Sequence, residues 1–279
     1  MPRKSTAQNL DAILGSLDSS GEDLYGDLGY PPDLMTFVAD PYYLGSQVEV
    51  EPQVAQLILE IGANDVREAF VQLGKGSGKS LVATVIPLYE TCKMLHMKDP
   101  HMHFHLARAT LLTAINVSIG EKQAKNVVFK QIKDMVENSP FFKSINHKTK
   151  TVEIEFPDHN VAFICGHSRS TAFLGYGTFA AVLDEANYMI DTKGRSAAED
   201  LYTALRGSLM TRFPLTYKLL AISSASTPTA WLTKQVNAIK RAGNPVALSE
   251  IGVIPTYRKI VEKKSKADVS IDEILKGIV

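Results

Sequence analysis

One stretch, Leu73-Gly74-Lys75-Gly76-Ser77-Gly78-Lys79-Ser80, restricts what this chain can become more than any other. It follows the apolar run Ala69-Phe70-Val71-Gln72 and precedes a helical pattern that starts near Leu81. A strand, a glycine-rich turn and a helix opening on Gly-Lys-Ser make a phosphate cradle. Backbone N–H groups of such a loop point inward, and Gly74, Gly76 and Gly78 permit the backbone angles and the close approach that this needs. With Ser77 in the cradle, Lys79 reaches the β- and γ-phosphates of ATP, and the Ser80 hydroxyl ligates Mg²⁺. The general spacing G-x-x-x-x-G-K-[ST] is missed by one, because Leu73 holds the first glycine position and glycine is displaced to Gly74. The alternative is a glycine-rich turn that binds nothing.

A partner motif downstream favours the nucleotide loop. The run Phe179-Ala180-Ala181-Val182-Leu183-Asp184-Glu185-Ala186 reads as a buried strand ending in two acids. That places them at the carboxyl edge of a parallel sheet, where α/β proteins bind ligands. Asp184 can hold the Mg²⁺ water shell opposite Ser80, and Glu185 can polarise a water towards the γ-phosphorus. Such acid pairs also cap helices; the loop gives this one its weight. A further strand over residues 217–222 runs into Ser223-Ser224-Ala225-Ser226-Thr227-Pro228. Ser224, Ser226 and Thr227 can hydrogen-bond a γ-phosphate or the activated water and so report nucleotide state; a polar turn stopped by Pro228 is the plainer reading.

The rest of the chain carries weaker signals. Residues 1 to about 40 are polar and Gly- and Asp-rich, which reads as a mobile arm or loosely docked lead-in. Pro52 followed by an apolar stripe starts a short amphipathic helix, on which Gln53 or Gln56 could grip an adenine edge or simply face water. Residues 81–97 are helical by period, with a bend at Pro87. His101 to Ala107 alternates like a strand, and its three imidazoles read as a solvated or interface face rather than a metal site, since no carboxylate or thiol joins them.

Between residues 121 and 136, Ala124, Val127, Val128, Gln131, Ile132 and Met135 form one helix face, and Lys122, Lys125, Lys130 and Lys133 another. A solvated lysine face is the default; a contact to a phosphate backbone is the sharper option. Pro157-Asp158-His159-Asn160 separates two alternating runs and predicts a hairpin. Residues 197–210 read as a helix, with Arg206 near its end and Arg212 just past it.

Composition sets the bounds. A chain of 279 residues suits one large α/β domain with appendages. Lys+Arg 30 against Asp+Glu 30 leaves no global field for nucleic acid, so any DNA contact must be local. Cys92 and Cys165, the only cysteines, lie in a predicted helix and a predicted strand and suggest a reducing compartment. No apolar run approaches the roughly 20 residues of a membrane span, and no signal-peptide core opens the chain. The expectation is a soluble protein of the cytoplasm.

Together the motifs resemble the ATPase half of the large terminase subunit of tailed bacteriophages, the motor that pumps double-stranded DNA into a preformed capsid. That family carries a deviant phosphate loop matched by Leu73 to Ser80, a Leu-Asp-Glu-Ala strand end matched by Leu183 to Ala186, and a coupling motif matched by Ser226-Thr227-Pro228. Gln123-Ala124-Lys125 through Ser139-Pro140-Phe141 resembles the segment after its second strand. The resemblance spans roughly residues 50–235. It implies a P-loop NTPase of the catalytic-glutamate (ASCE) class, with a central, mainly parallel sheet flanked by helices.

It further implies ATP and Mg²⁺, double-stranded DNA, the portal protein and small terminase subunit as partners, a ring of subunits (a pentamer in that family) and residence in the host cytoplasm. The domain plan it suggests is a lead-in over 1–45, an ATPase core over 46–245 and a C-terminal segment over 246–279. Where some members carry an arginine finger, this chain has Leu174 before Gly175. The finger is therefore open among Arg169, Arg206 and Arg212, with Lys75 as a basic group acting in cis. After Pro228 the acids are too scattered for the family's two-metal nuclease, which suggests the motor half alone and no DNA cutting. Two alternatives stand beside the motor: a helicase-like remodelling ATPase, and a non-catalytic nucleotide-binding assembly module. A GTPase is disfavoured by the lack of an Asn-Lys-x-Asp motif.

Overall fold

The computed structural model describes residues 24–46, 49–74, 76–121, 124–168, 175–191 and 194–242. Lys75, Lys122, Gln123, Arg169, Leu174 and the segment 246–279 fall outside these residues, as does the side chain of Lys125. Seven strands form one sheet in the order β1-β7-β6-β2-β5-β4-β3. They are β1 (Glu68–Gln72), β2 (Leu112–Ser118), β3 (Lys148–Thr149), β4 (Glu153–Phe156), β5 (Val161–His167), β6 (Gly177–Asp184) and β7 (Lys218–Ser223). The first five in spatial order are parallel, and β4 and β3 add antiparallel at the far end. The strand leading to the phosphate loop and the acid-bearing β6 are thus separated by one inserted strand, β7. That insertion places the fold in the ASCE class.

Eight α-helices are described: α1 (Leu34–Ala39), α2 (Pro52–Gly62), α3 (Lys79–His96), α4 (Pro100–His103), α5 (Lys130–Asn138), α6 (Pro140–Ser144), α7 (Ala197–Arg212) and α8 (Trp231–Ala242). Burial on both faces explains why β2, β6 and β7 are apolar almost throughout rather than alternating. On one face lies α3, to which Asn116 of β2 donates at Ala83 O, 3.3 Å. On the other lie α7 and α8, whose Tyr202 and Trp231 rings meet Phe70 of β1 at 5.3 and 5.9 Å. None of the helices among the described residues is long and apolar enough to cross a membrane. Cys92 and Cys165 are buried and unpaired.

Four expectations need correction. The predicted mobile lead-in over 1–45 is, from residue 24 onward, part of the packed fold: α1 buries Phe37 completely, and Leu44 is equally covered. Asp33 caps this helix by accepting from Thr36 N at 2.9 Å, and Leu34, Phe37 and Val38 supply its apolar face. The predicted strand at 101–107 is instead α4 and a turn. There Asp99 accepts from Met102 N at 3.0 Å and Pro100 takes the first helical position, and this start signal overrides the alternation. His101 is buried against Thr110 O at 2.8 Å, which breaks the imagined row of imidazoles.

Thirdly, the helix at 121–136 opens as a π-helical turn over Ala124–Phe129 before α5. The wider turn rotates Val127 out to 56% exposure and brings Phe129 in at 5%. Lastly, α7 extends through Arg212 rather than ending before it. The hairpin over β4 and β5 forms as expected, with Asn160 in the left-handed region at φ 50°.

Candidate nucleotide site

The carboxyl ends of β1, β7, β6 and β2 converge on the loop. Gly76 and Gly78 sit at φ 69° and 77°, where a side chain would be strained. A Cβ on Gly78 would also lie 2.6 Å from Val54 Cγ2 on α2, so this glycine is needed both for its angle and for close approach. Gly74 has open space around it and no such angle, so neither its backbone conformation nor a protein neighbour requires glycine there. Ser77 Oγ donates to Gly74 O at 2.6 Å and ties the turn together. Lys79 is buried at 8% exposure, and its Nζ donates to Gly74 O at 2.9 Å, with Leu73 O 3.5 Å away. Ser80 is exposed at the first turn of α3.

Strand alternation divides the two acids. Asp184 shares the α3 face of β6 with Val182, whose partner Asn116 reaches Ala83. It is 5% exposed, and burial together with the neighbouring Glu185 charge pushes its carboxyl up to about 6, while the charge of Lys79 pulls the other way. Glu185 adopts φ 57°, a left-handed conformation uncommon outside glycine and asparagine. That turn carries its carboxylate to the tip of β7, where Oε2 accepts from Ser223 Oγ at 3.0 Å and Ser224 N at 3.1 Å.

These residues fit a magnesium-bound nucleotide. Asp184 is a buried, electrostatically under-compensated carboxylate. The Oγ of Ser118, one position beyond the last β2–β6 pair and so beside Asp184, is buried without a hydrogen-bond partner. Gln72 Oε1, at the end of β1, is orphaned in the same way. No group of three or more His, Cys, Asp and Glu side chains placed to hold a metal ion by themselves occurs among the described residues; a hydroxyl, one carboxylate and phosphate oxygens suit Mg²⁺, which keeps several waters.

The remaining candidates distribute unevenly. Ser224 touches Glu185, but Ser226 and Thr227 do not; Thr227 Oγ1 pairs with Thr229 Oγ1 at 3.1 Å. Ser223, outside the expected trio, makes the contact instead. Arg206 Nε binds the fully buried Glu68 at 2.8 Å, at the amino end of β1, which gives it a structural task on the opposite edge of the sheet. Arg212 closes α7 and donates to Ser208 Oγ. Gln53 and Gln56 are exposed on α2, and Gln56 Nε2 reaches Glu60 Oε1 at 3.4 Å.

Asn187 was not foreseen. It is buried in the turn after Glu185, donates through Nδ2 to Ser224 O at 2.9 Å, and accepts at Oδ1 from Thr233 N at 3.1 Å. No local pattern marks such a residue, because its partners lie 37 and 46 positions away.

The family described as "Uncharacterized protein MJ0330, N-terminal P-loop domain" matches residues 23–236. The chain belongs to this family. It is a P-loop nucleotide-binding domain, and the match takes in α1 together with the sheet. No curated protein matches the sequence. Among solved structures, the large terminase of bacteriophage HK97 is similar with a TM-score of 0.54 at 16% identity, over 86% of this chain and 45% of that one. The large terminase ATPase domain of Thermus phage P74-26 gives a TM-score of 0.51 at 14% identity, over 84% of this chain and 85% of that one. At such identities the likeness establishes a shared fold. The chain spans less than half the length of the HK97 protein.

Proposed function

We propose that this P-loop domain hydrolyses ATP with Mg²⁺ and that hydrolysis drives double-stranded DNA, as in the motor half of a large terminase. The observation that carries the reading is the division of labour between neighbouring acids, Asp184 towards α3 and Lys79, and Glu185 towards the inserted strand β7. A site that only bound nucleotide would have little use for a second carboxylate held in a left-handed turn. In this reading the loop amides and Lys79 bind the phosphates, and Ser80 and Asp184 hold the metal. Bound Mg²⁺ would neutralise charge developing on the phosphate oxygens. Glu185 accepts a proton from the attacking water, and Ser223 and Ser224 hold its carboxylate in place.

Arg206 and Arg212 are engaged within their own chain, in every copy alike, so Arg169, outside the described residues, is the candidate left for a finger that reaches a neighbouring subunit's site. A ring docked on the portal, served by the small subunit, follows from the same reading. The balanced charge makes isolated DNA affinity weak and steeply salt-dependent. The binding-module alternative has one observation in its favour: both donors at the β7 tip already occupy Glu185 Oε2.

The test is steady-state phosphate release against protein concentration, with and without double-stranded DNA, for wild type and Glu185→Gln. The motor reading expects turnover rising faster than linearly with protein, stimulation by DNA, and about a hundredfold or greater loss in the variant with ATP affinity nearly unchanged. Tight ATP binding with no turnover at any concentration would establish the binding module instead.

A further inference from the structure

Helix α8 begins without a capping side chain of its own. Lys234 N donates to Ala230 O at 3.0 Å, which makes Ala230 the residue ahead of the first turn, and alanine has nothing to offer the free amides. The missing cap comes from the turn after β6: Asn187 Oδ1 accepts from Thr233 N at 3.1 Å and from Thr233 Oγ1 at 3.4 Å. The same side chain donates to Ser224 O at 2.9 Å, and the Asn187 amide donates to Ser223 Oγ at 3.3 Å. Ser223 Oγ and Ser224 N are in turn the two donors to Glu185. Every group in this chain of bonds except Glu185 is buried.

We infer that Asn187 is a positioning residue that joins the Glu185 carboxylate, the tip of β7 and the first turn of α8 into one hydrogen-bonded unit, so that nucleotide state at the phosphate loop is read at the start of α8. The inference rests on the nucleotide site proposed above and adds an output to it. A Glu185 that turns away from β7 takes the acceptor from Ser223 Oγ and Ser224 N, and both serines are buried. Those donors belong to the segment whose carbonyl Asn187 holds, and Asn187 has no second way to cap α8. A change at the carboxylate therefore has one covalently short and fully bonded route outward. Trp231, packed on Phe70 and Tyr202, anchors the same helix end from its apolar side.

The experiment follows amide hydrogen exchange at Thr233 in the full chain, without nucleotide, with Mg·ADP and with a non-hydrolysable Mg·ATP analogue, together with turnover and ATP affinity of Asn187→Ala. In wild type, Thr233 exchange should differ at least threefold between the two nucleotides. In Asn187→Ala the amide should exchange at least tenfold faster, the nucleotide dependence should vanish, and turnover at saturating ATP should fall about tenfold or more with the ATP dissociation constant within twofold. Wild-type exchange at Thr233 that ignores the nucleotide overturns the inference, and so does a variant that keeps wild-type turnover. The exchange measurement needs no variant, so it decides the matter even if Asn187→Ala does not fold. It also needs no hydrolysis: a wild type that binds but does not turn over defeats the ATPase reading, and Thr233 exchange alone then decides the relay.

Discussion

At the scale of single residues the site depends on backbone angles that few side chains tolerate. Gly78 stands at φ 77° with Val54 Cγ2 only 2.6 Å from where its Cβ would be, and Val54 is a stiff β-branched residue on a packed helix. Gly78→Ala should lower stability by about 1–3 kcal/mol and weaken ATP binding at least tenfold, because the first turn of α3 must shift. Gly74→Ala, facing open space, should leave stability nearly unchanged. Chemical denaturation and ATP titration of the two variants check the contrast. Glu185, by contrast, accepts a left-handed angle at a cost of order 1–2 kcal/mol, offset by the two donors at its carboxylate. The identity of Lys79, Ser80, Asp184 and Glu185 as candidates was legible from residue type and order. That Glu185 swings to Ser223 was not, since the angle that sends it there has no signature in a Glu-Ala dipeptide.

At the scale of elements, long-range side chains repair what local sequence breaks. Pro87 lies inside α3 and brings no N–H to the carbonyl of Ala83. Asn116 Nδ2, from the middle of β2, supplies that donor at 3.3 Å. Asn116→Ala should therefore cost about 1–3 kcal/mol. In a Pro87→Ala background, where residue 87 again offers its own amide, the same substitution should cost clearly less. A double-mutant cycle by urea denaturation measures the difference; equal costs in both backgrounds would remove Asn116 from this role. Periodicity found α2 and α7 because their faces are amphipathic, and the hairpin because turn residues bound its runs; α3, buried on almost every side, is announced by the glycine loop ahead of it. Periodicity failed at 101–107, where Asp99 and Pro100 start a helix, and at 124–129, where one wide turn changes which residues face inward.

At the scale of the molecule, the edge of the sheet opposite the nucleotide site is held by a buried cation. Lys218 is 3% exposed and its ammonium donates to the carbonyls of Ile61, Ala63 and Val66, which joins β7 to the end of α2 and the entry to β1. Burial lowers its pKa from 10.5 to about 8, with Glu90 on α3 acting in the opposite direction. Between about pH 8 and 10.5 the unfolded chain holds this proton and the folded chain does not, so the contribution to stability rises with pH across that window. The difference in unfolding free energy between wild type and Lys218→Met should increase by up to about 3 kcal/mol from pH 8 to 10.5, read from denaturation at each pH. A difference independent of pH would mean that Lys218 titrates normally in the fold. Docking of α1 belongs to this scale too: a segment that composition assigns to a polar arm joins the core because three apolar residues at helical spacing find a surface on α2 and α3.

The sequence by itself determined the class of fold and which candidate residues stand at the carboxyl edge of its sheet. A strand, a glycine loop and a helix in one order, followed by a strand ending in two acids, admit few other arrangements, since each motif is local and its function depends on backbone geometry set within a few residues. Only the tertiary structure decided that β7 lies between those strands, that Arg206 serves Glu68 on the far edge, and that Asn187 links Glu185 to α8. Those outcomes depend on contacts between residues 37 to 151 positions apart. Such contacts are selected by packing of the whole sheet and leave no periodic trace in the chain.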